Sequence, residues 1–144
     1  MTNDEACDEI FGLFRDYWNA QTPALNSGQP VEIHWPGVTV EAPEKAYARV
    51  RLQHIPSRQL TFGETGQRRF GRAGFVSVEV FAPLNNGQGF SLSQNLAIIA
   101  RDAYEGRGTA TGIWFRNARI NDVGPSEQFY QMNVLIEFEY DELK

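Results

Sequence analysis

One cysteine, two histidines and two lysines are all that this 144-residue chain holds of those types, and each scarcity closes off a class of function. A lone cysteine, Cys7, cannot form an internal disulfide, so the fold is compatible with a reducing cytoplasm. It falls at the edge of an apolar helix face and has no local histidine, which makes it a small packed residue before it is a nucleophile. His34 and His54 sit in separate strand candidates, without the HExxH spacing of zinc hydrolases or a nearby cysteine pair. A metal site would need ligands converging from distant strands, and surface or partly buried histidines are the better reading. No serine lies in a GxSxG elbow. No apolar run approaches the roughly 18 residues of a membrane span. Residues 1–20 carry Asp4, Glu5, Asp8 and Glu9 where a signal peptide needs an apolar core. These absences lead to the expectation of one soluble globular domain, long enough to bury a core without disulfide or metal staples.

What is present is arginine, unevenly spread. The formal net charge is −5, which argues against a dedicated nucleic-acid binder. Yet residues 46–72 carry Arg49, Arg51, Arg58, Arg68, Arg69 and Arg72 against Glu64 alone, a local charge of 6 − 1 = +5. The acid gathers in the first helix and from Glu137 to Glu142. Within the basic region, FGETGQRRFGRAG (62–74) packs four glycines and three arginines into thirteen residues. A phosphate-binding loop must lead from strand into helix and end in Gly-Lys-Ser/Thr, and a dinucleotide fingerprint also needs a following helix. This stretch lies between two strand candidates and reads as a long hairpin tip. Arg68, Arg69 and Arg72, with Phe62 and Phe70, could combine charge with base stacking. A flexible arginine tip is equally suited to ordering on an acidic protein surface.

Around this loop the elements are well signed. Thr2-Asn3-Asp4-Glu5 is a capping box, and Ala6, Ile10, Leu13, Phe14, Tyr17 and Trp18 follow at helical spacing up to Pro23 at the latest. Residues 21–45 form a loose segment with a short strand at 31–35. Alternation predicts strands at 46–55, 58–62 and 73–83. A second helix is expected over about 91–105, capped by Ser91 or Ser93, with Leu92, Leu96, Ile99, Ala100 and Ala103 inward. Ile98 points off that stripe, either as an ordinary exposed residue or as a subunit contact. A strand at 111–120, a turn at 121–126 and a closing strand at 130–140 complete the chain, with Leu135 breaking the wet face of the last. Glu79, Glu137 and Glu139 share a polar sheet face, where cross-strand ion pairs with Arg49 and Arg51 are favoured over acid–base work. The expected fold is a single α+β domain spanning 1–144. It has a largely antiparallel sheet of four to six strands, two helices packed on one face, and a long Gly/Arg hairpin loop.

The second half, read as one pattern, carries a resemblance. An arginine- and glycine-rich entry, RRFGRAG, leads into a strand ending in Phe81-Ala82-Pro83, then Gly87-Gln88-Gly89 and a helix. An aromatic strand and a turn follow, and then FYQMNV (129–134) runs into FEYDE (138–142). This arrangement resembles the small tail-terminator-like proteins of long-tailed bacteriophages and prophages. The resemblance implies a non-enzymatic virion protein without cofactor, assembled as a homo-hexameric ring at the head-proximal end of the tail. Such a ring stops addition of tail tube protein and offers a docking surface to a head–tail connector or head completion protein. DNA would meet it only by passage through the ring, no membrane is involved, and assembly takes place in the host cytoplasm. The family's long hairpin loop is expected to be mobile in the free subunit and ordered against neighbours. The candidate assembly residues are Arg68, Arg69, Arg72, Phe70, Ile98, Glu137 and Glu139. A head–tail connector is the nearest rival reading, followed by a small nucleic-acid-binding module and, last, a small enzyme.

Overall fold

The computed structural model describes residues 1–38, 44–56, 58–61, 63–84 and 87–144, with Arg58 as backbone alone. Helix α1 (Asn3–Gln21) starts at the expected capping box. Thr2 Oγ1 accepts from the Glu5 N–H at 3.2 Å and Glu5 Oε2 accepts from the Thr2 N–H at 3.0 Å, filling donors that a helix start leaves without partners. Ala6, Ile10, Phe14 and Trp18 are fully buried along one stripe. Pro23, which cannot donate, stops the α-helix, and a 3-10 turn follows over Thr22–Leu25. Thr22 Oγ1 donates to the Trp18 carbonyl at 2.7 Å and accepts from the Val31 N–H at 3.1 Å. These bonds tie the chain's exit from α1 to the first strand. Of the expected loose segment, residues 39–43 lie outside the described residues, as does Phe62 of the expected strand 58–62.

The strands are β1 (Glu32–His34), β2 (Tyr47–His54), β3 (Arg58–Gln59), β4 (Arg69–Pro83), β5 (Trp114–Ser126) and β6 (Phe129–Leu143), with helix α2 (Gly89–Asp102) between β4 and β5. They form one sheet in the order β1-β2-β4-β6-β5, with β3 also pairing β4. Only β1 with β2 is parallel; the other pairings are antiparallel. Strand alternation sends Val50, Val76, Val78, Val80, Val134 and Ile136 to one face, where they share a core with Ile10, Phe14 and Trp18 of α1 and Leu96 and Ala100 of α2. The expected α+β architecture, a largely antiparallel sheet under two helices, is the observed one.

Three local expectations are corrected. First, the described residues do not show the long Gly/Arg loop over its expected length. β4 begins at Arg69, so Arg69, Phe70, Gly71 and Arg72 are strand residues and only 60–68 link β3 to β4. The cause is β6, which runs on to Leu143 and offers ladder partners from Arg69↔Leu143 to Arg72↔Tyr140, satisfying backbone groups that a loop would leave to water. Gly74, at the junction of the expected loop (62–74) and the expected strand (73–83), is a packing necessity. A Cβ there would lie 2.1 Å from the Gln53 carbonyl oxygen and 2.8 Å from Phe138 Cζ.

Second, residues 121–126 are strand, not turn. Gly124 (φ 101°) sits at a register shift in β5, where glycine relieves the strain. Pro125 is tolerated because β5 is an edge strand. The turn is Glu127-Gln128, with Glu127 at φ 55°.

Third, α2 starts at Gly89 and ends at Asp102. Gln88 precedes it without a side-chain cap, and Ser91 and Ser93 lie inside the helix. Ser93 Oγ donates to the Phe90 carbonyl at 3.0 Å. The inward stripe therefore uses Ser93 and Ala97, while Leu92 and Ile99 are half-buried.

Candidate assembly surface

The helices cover one face of the sheet, and no described element packs on the other. That outer face carries the odd-numbered residues of β2, β4 and β6, paired across the ladders: Arg49 opposite Glu79, Arg51 opposite Ser77, Phe75 opposite Glu137. The expected ion pairing holds for Glu79. Arg49 Nη2 lies 2.6 Å from Glu79 Oε2, Arg51 Nε lies 3.7 Å from Oε1, and Gln131 Nε2 donates to Oε2 at 3.2 Å. Glu137 and Glu139 use other partners, because β4 separates β6 from β2. Asn117 Nδ2 donates to Glu137 at 2.6 Å, and Arg116 Nη2 pairs with Glu139 at 2.9 Å.

The candidate assembly residues do not form one patch. Arg68, Arg69, Phe70 and Arg72 gather where β4 begins and β6 ends, with Glu137 and Glu139 further along β6. Strand alternation puts Arg69, Glu137 and Glu139 on the outer face and Phe70 and Arg72 on the face that carries the helices, and Ile98 is half-buried on α2. Their states also differ. Arg72 is held against Glu142, with Nη2 at 2.6 Å and Nε at 2.9 Å from Oε1, and its guanidinium lies 5.4 Å from the Phe70 ring centre. Both side chains of that pair are nearly buried, 14% and 12% exposed. Arg69 makes a more exposed contact with Asp141 at 3.3 Å. Arg68 is at the surface and donates to the Gly63 carbonyl at 2.8 Å. Two of the three arginines thus already meet carboxylates within the subunit.

Next to the Arg72 pair, three elements are pinned by one hydroxyl. Tyr140 OH donates to Asn3 Oδ1 at 2.7 Å and lies 2.8 Å from His54 Nε2. The His54 nitrogen therefore carries the proton in that contact. Burial, with Glu142 and Cys7 nearby, pushes the Tyr140 hydroxyl up to about 12. Burial first, and Arg72 second, push His54 down. The Cys7 thiol is raised by burial and by Asp4 and Asp8, the opposite of what a nucleophilic thiolate needs. His34 is buried and stacks on Tyr47 at 4.5 Å, and Tyr47 stacks on Phe81 at 4.6 Å. Among the described residues no group of three or more His, Cys, Asp or Glu converges in a way that could hold a metal ion.

Two surface features were not anticipated from the sequence. The first is the edge strand β5, where Trp114 is 57% and Val123 51% exposed. The signal was present in IWFRNARINDV, whose Phe115 is buried beside an outward Trp114. The second is a groove of about 420 Å³ between α1 and the residues after β1, lined by Asp8, Phe11, Gly12, Arg15, Trp35 and Pro36. Phe11 and Trp35 form its aromatic floor, 5.4 Å between ring centres.

No family model and no curated protein matches this sequence. Among solved structures, one that carries no functional name aligns with 100% of this chain and 98% of its own, with a TM-score of 0.71 at 13% sequence identity. A likeness at that identity establishes the fold and nothing about activity.

Proposed function

We propose that this protein is a non-enzymatic tail terminator of a long-tailed bacteriophage or prophage, capping the finished tail tube as a ring and presenting a surface to which the head docks. The observation that carries the reading is the two-layer build. The described elements leave one sheet face and one long edge strand uncovered on a small domain, and the polar groups there are arranged in cross-strand pairs, which suits contacts between protein surfaces. The sequence pattern of residues 46–142 supports the same reading. The partners are copies of the chain itself, the tail tube protein, and a connector or head completion protein, with DNA passing through the ring. Among the candidate arginines, Arg68 is the one best placed to reach a neighbour. Adding the purified protein to polymerising tube subunits of its parent phage tests the proposal. Tubes capped at one end and shortened with increasing protein are expected, and a length distribution that ignores the protein would count against it.

A further inference from the structure

We infer that the chain binds a second copy of itself head to tail, the arginine-bearing edge strand β5 of one copy seated against the aromatic groove beside the acidic helix α1 of the next. The inference rests on the ring reading for the premise that copies meet, and it names the two surfaces. The strand order puts β1 and β5 at opposite edges of the sheet. The groove lies at the β1 edge, since Trp35 and Pro36 follow directly on β1.

The two edges carry opposite charge. Helix α1 bears Asp4, Glu5, Asp8, Glu9 and Asp16 against Arg15, a balance of 1 − 5 = −4. Strand β5 bears Arg116 and Arg119 against Asp122, a balance of 2 − 1 = +1, and Arg116 is already paired with Glu139. Arg119 is exposed and has no ion-pair partner among the described residues. A guanidinium stacks well on indole and phenyl rings while a neighbouring carboxylate binds its donors; the groove offers Phe11, Trp35 and Asp8 together, and its own cation, Arg15, is paired with Asp16 at 3.2 Å. Exposed Trp114 and Val123 add apolar area on the same strand.

Strand-to-strand addition at β5 is a poorer use of this edge. The ladder is interrupted by register shifts between Arg116 and Arg119 and between Asp122 and Gly124, and it carries Pro125. Bulges and proline are the features that blunt an edge against pairing, leaving side-chain contacts. A contact between two different patches at opposite edges is heterologous, so it repeats from copy to copy and closes into a ring when the rotation allows.

The test is sedimentation of the purified protein over a wide concentration range. It compares wild type, Asp8→Arg, Arg119→Glu, and an equimolar mixture of the two variants. Wild type is expected to associate, less so as salt rises. Each reversal alone should weaken association by about tenfold or more, and the mixture should recover it, because opposite charges again face each other across the contact. Asp8→Asn, which keeps size and shape, and Arg119→Gln, which stays polar at an exposed position, should weaken association in the same direction with little effect on folding. Association should also shield Trp35 and Trp114 from acrylamide, while buried Trp18 is unaffected. Variants that associate like wild type, a mixture that fails to recover, or a monomer at every concentration would each overturn this contact. Those results leave the terminator proposal standing, because tail length in the parent phage tests that separately.

Discussion

Replacing Arg72 by alanine separates folding from assembly among the three arginines of the RRFGR segment. Arg72 approaches Glu142 at 2.6 and 2.9 Å, with the carboxylate only 12% exposed. Removing one partner of a fully buried pair costs about 3–5 kcal/mol, chiefly because the remaining charge keeps its desolvation penalty. The residual exposure lets water reach Glu142, so about 2–3 kcal/mol is expected here. For a domain of this size, each kcal/mol moves the melting temperature by about 3–4 °C, giving a fall of roughly 6–12 °C for Arg72→Ala. Arg68→Ala removes one exposed bond to the Gly63 carbonyl and should cost no more than about 0.5 kcal/mol. Thermal melts of both variants by circular dichroism give the comparison. The double variant Arg72→Ala/Glu142→Ala should be less unstable than the sum of its two single changes. An Arg72→Ala protein that melts within about 1 °C of wild type, against the shift expected for a buried pair, would show that the pair does not hold β4 to β6. The contrast also governs function. Loss of tail assembly in Arg72→Ala is open to a folding explanation, whereas loss in Arg68→Ala is not.

Further outcomes follow from the same geometry. Gly74→Ala places a methyl group 2.1 Å from the Gln53 carbonyl oxygen and should cost about 3 kcal/mol or more, as overpacking against backbone does, read from the urea midpoint. Gly71→Ala, facing only the Leu60 side chain at 3.2 Å, should be far milder, since that side chain can turn aside. His54 is held below its ordinary value of 6.5, so the unfolded chain takes up its proton first. Stability is therefore lost as pH falls below about 6.5 and levels off under the folded value, and His54→Gln should remove that part of the pH profile. Tyr140 titrates near 12 in the folded chain against an ordinary 10. Stability should fall as pH rises from 10 towards 12, and Tyr140→Phe should abolish that loss while costing about 1–2 kcal/mol at neutral pH for the missing hydrogen bonds.

Where a single periodicity dominates, the sequence was enough. Of the expected α1 stripe, Ala6, Ile10, Phe14 and Trp18 are buried and Leu13 and Tyr17 half-buried, and the alternation over 130–140 points to the face that buries Met132, Val134, Ile136, Phe138 and Tyr140. Reading failed where glycine and proline have two meanings. Gly71 suggested a mobile loop and Gly74 the loop's junction with a strand, but their lack of a Cβ serves close packing against Leu60 and against β2 with Phe138. Val123-Gly124-Pro125 suggested a turn, but on an edge strand the same residues make a bulge. Which strand lies at an edge is a property of the whole sheet, and no local window contains it. The surfaces were hardest to foresee for the same reason. Phe11 and Trp35 meet only through packing, and the opposition of β1 and β5 exists only once the sheet order is set.

Electron microscopy of particles made by the parent phage with this gene inactivated tests the terminator proposal most directly. Overlong or ragged tails without heads are the expected result. Tails of normal length that lack heads would transfer the protein to the connector, and normal particles would contradict a role in the tail altogether.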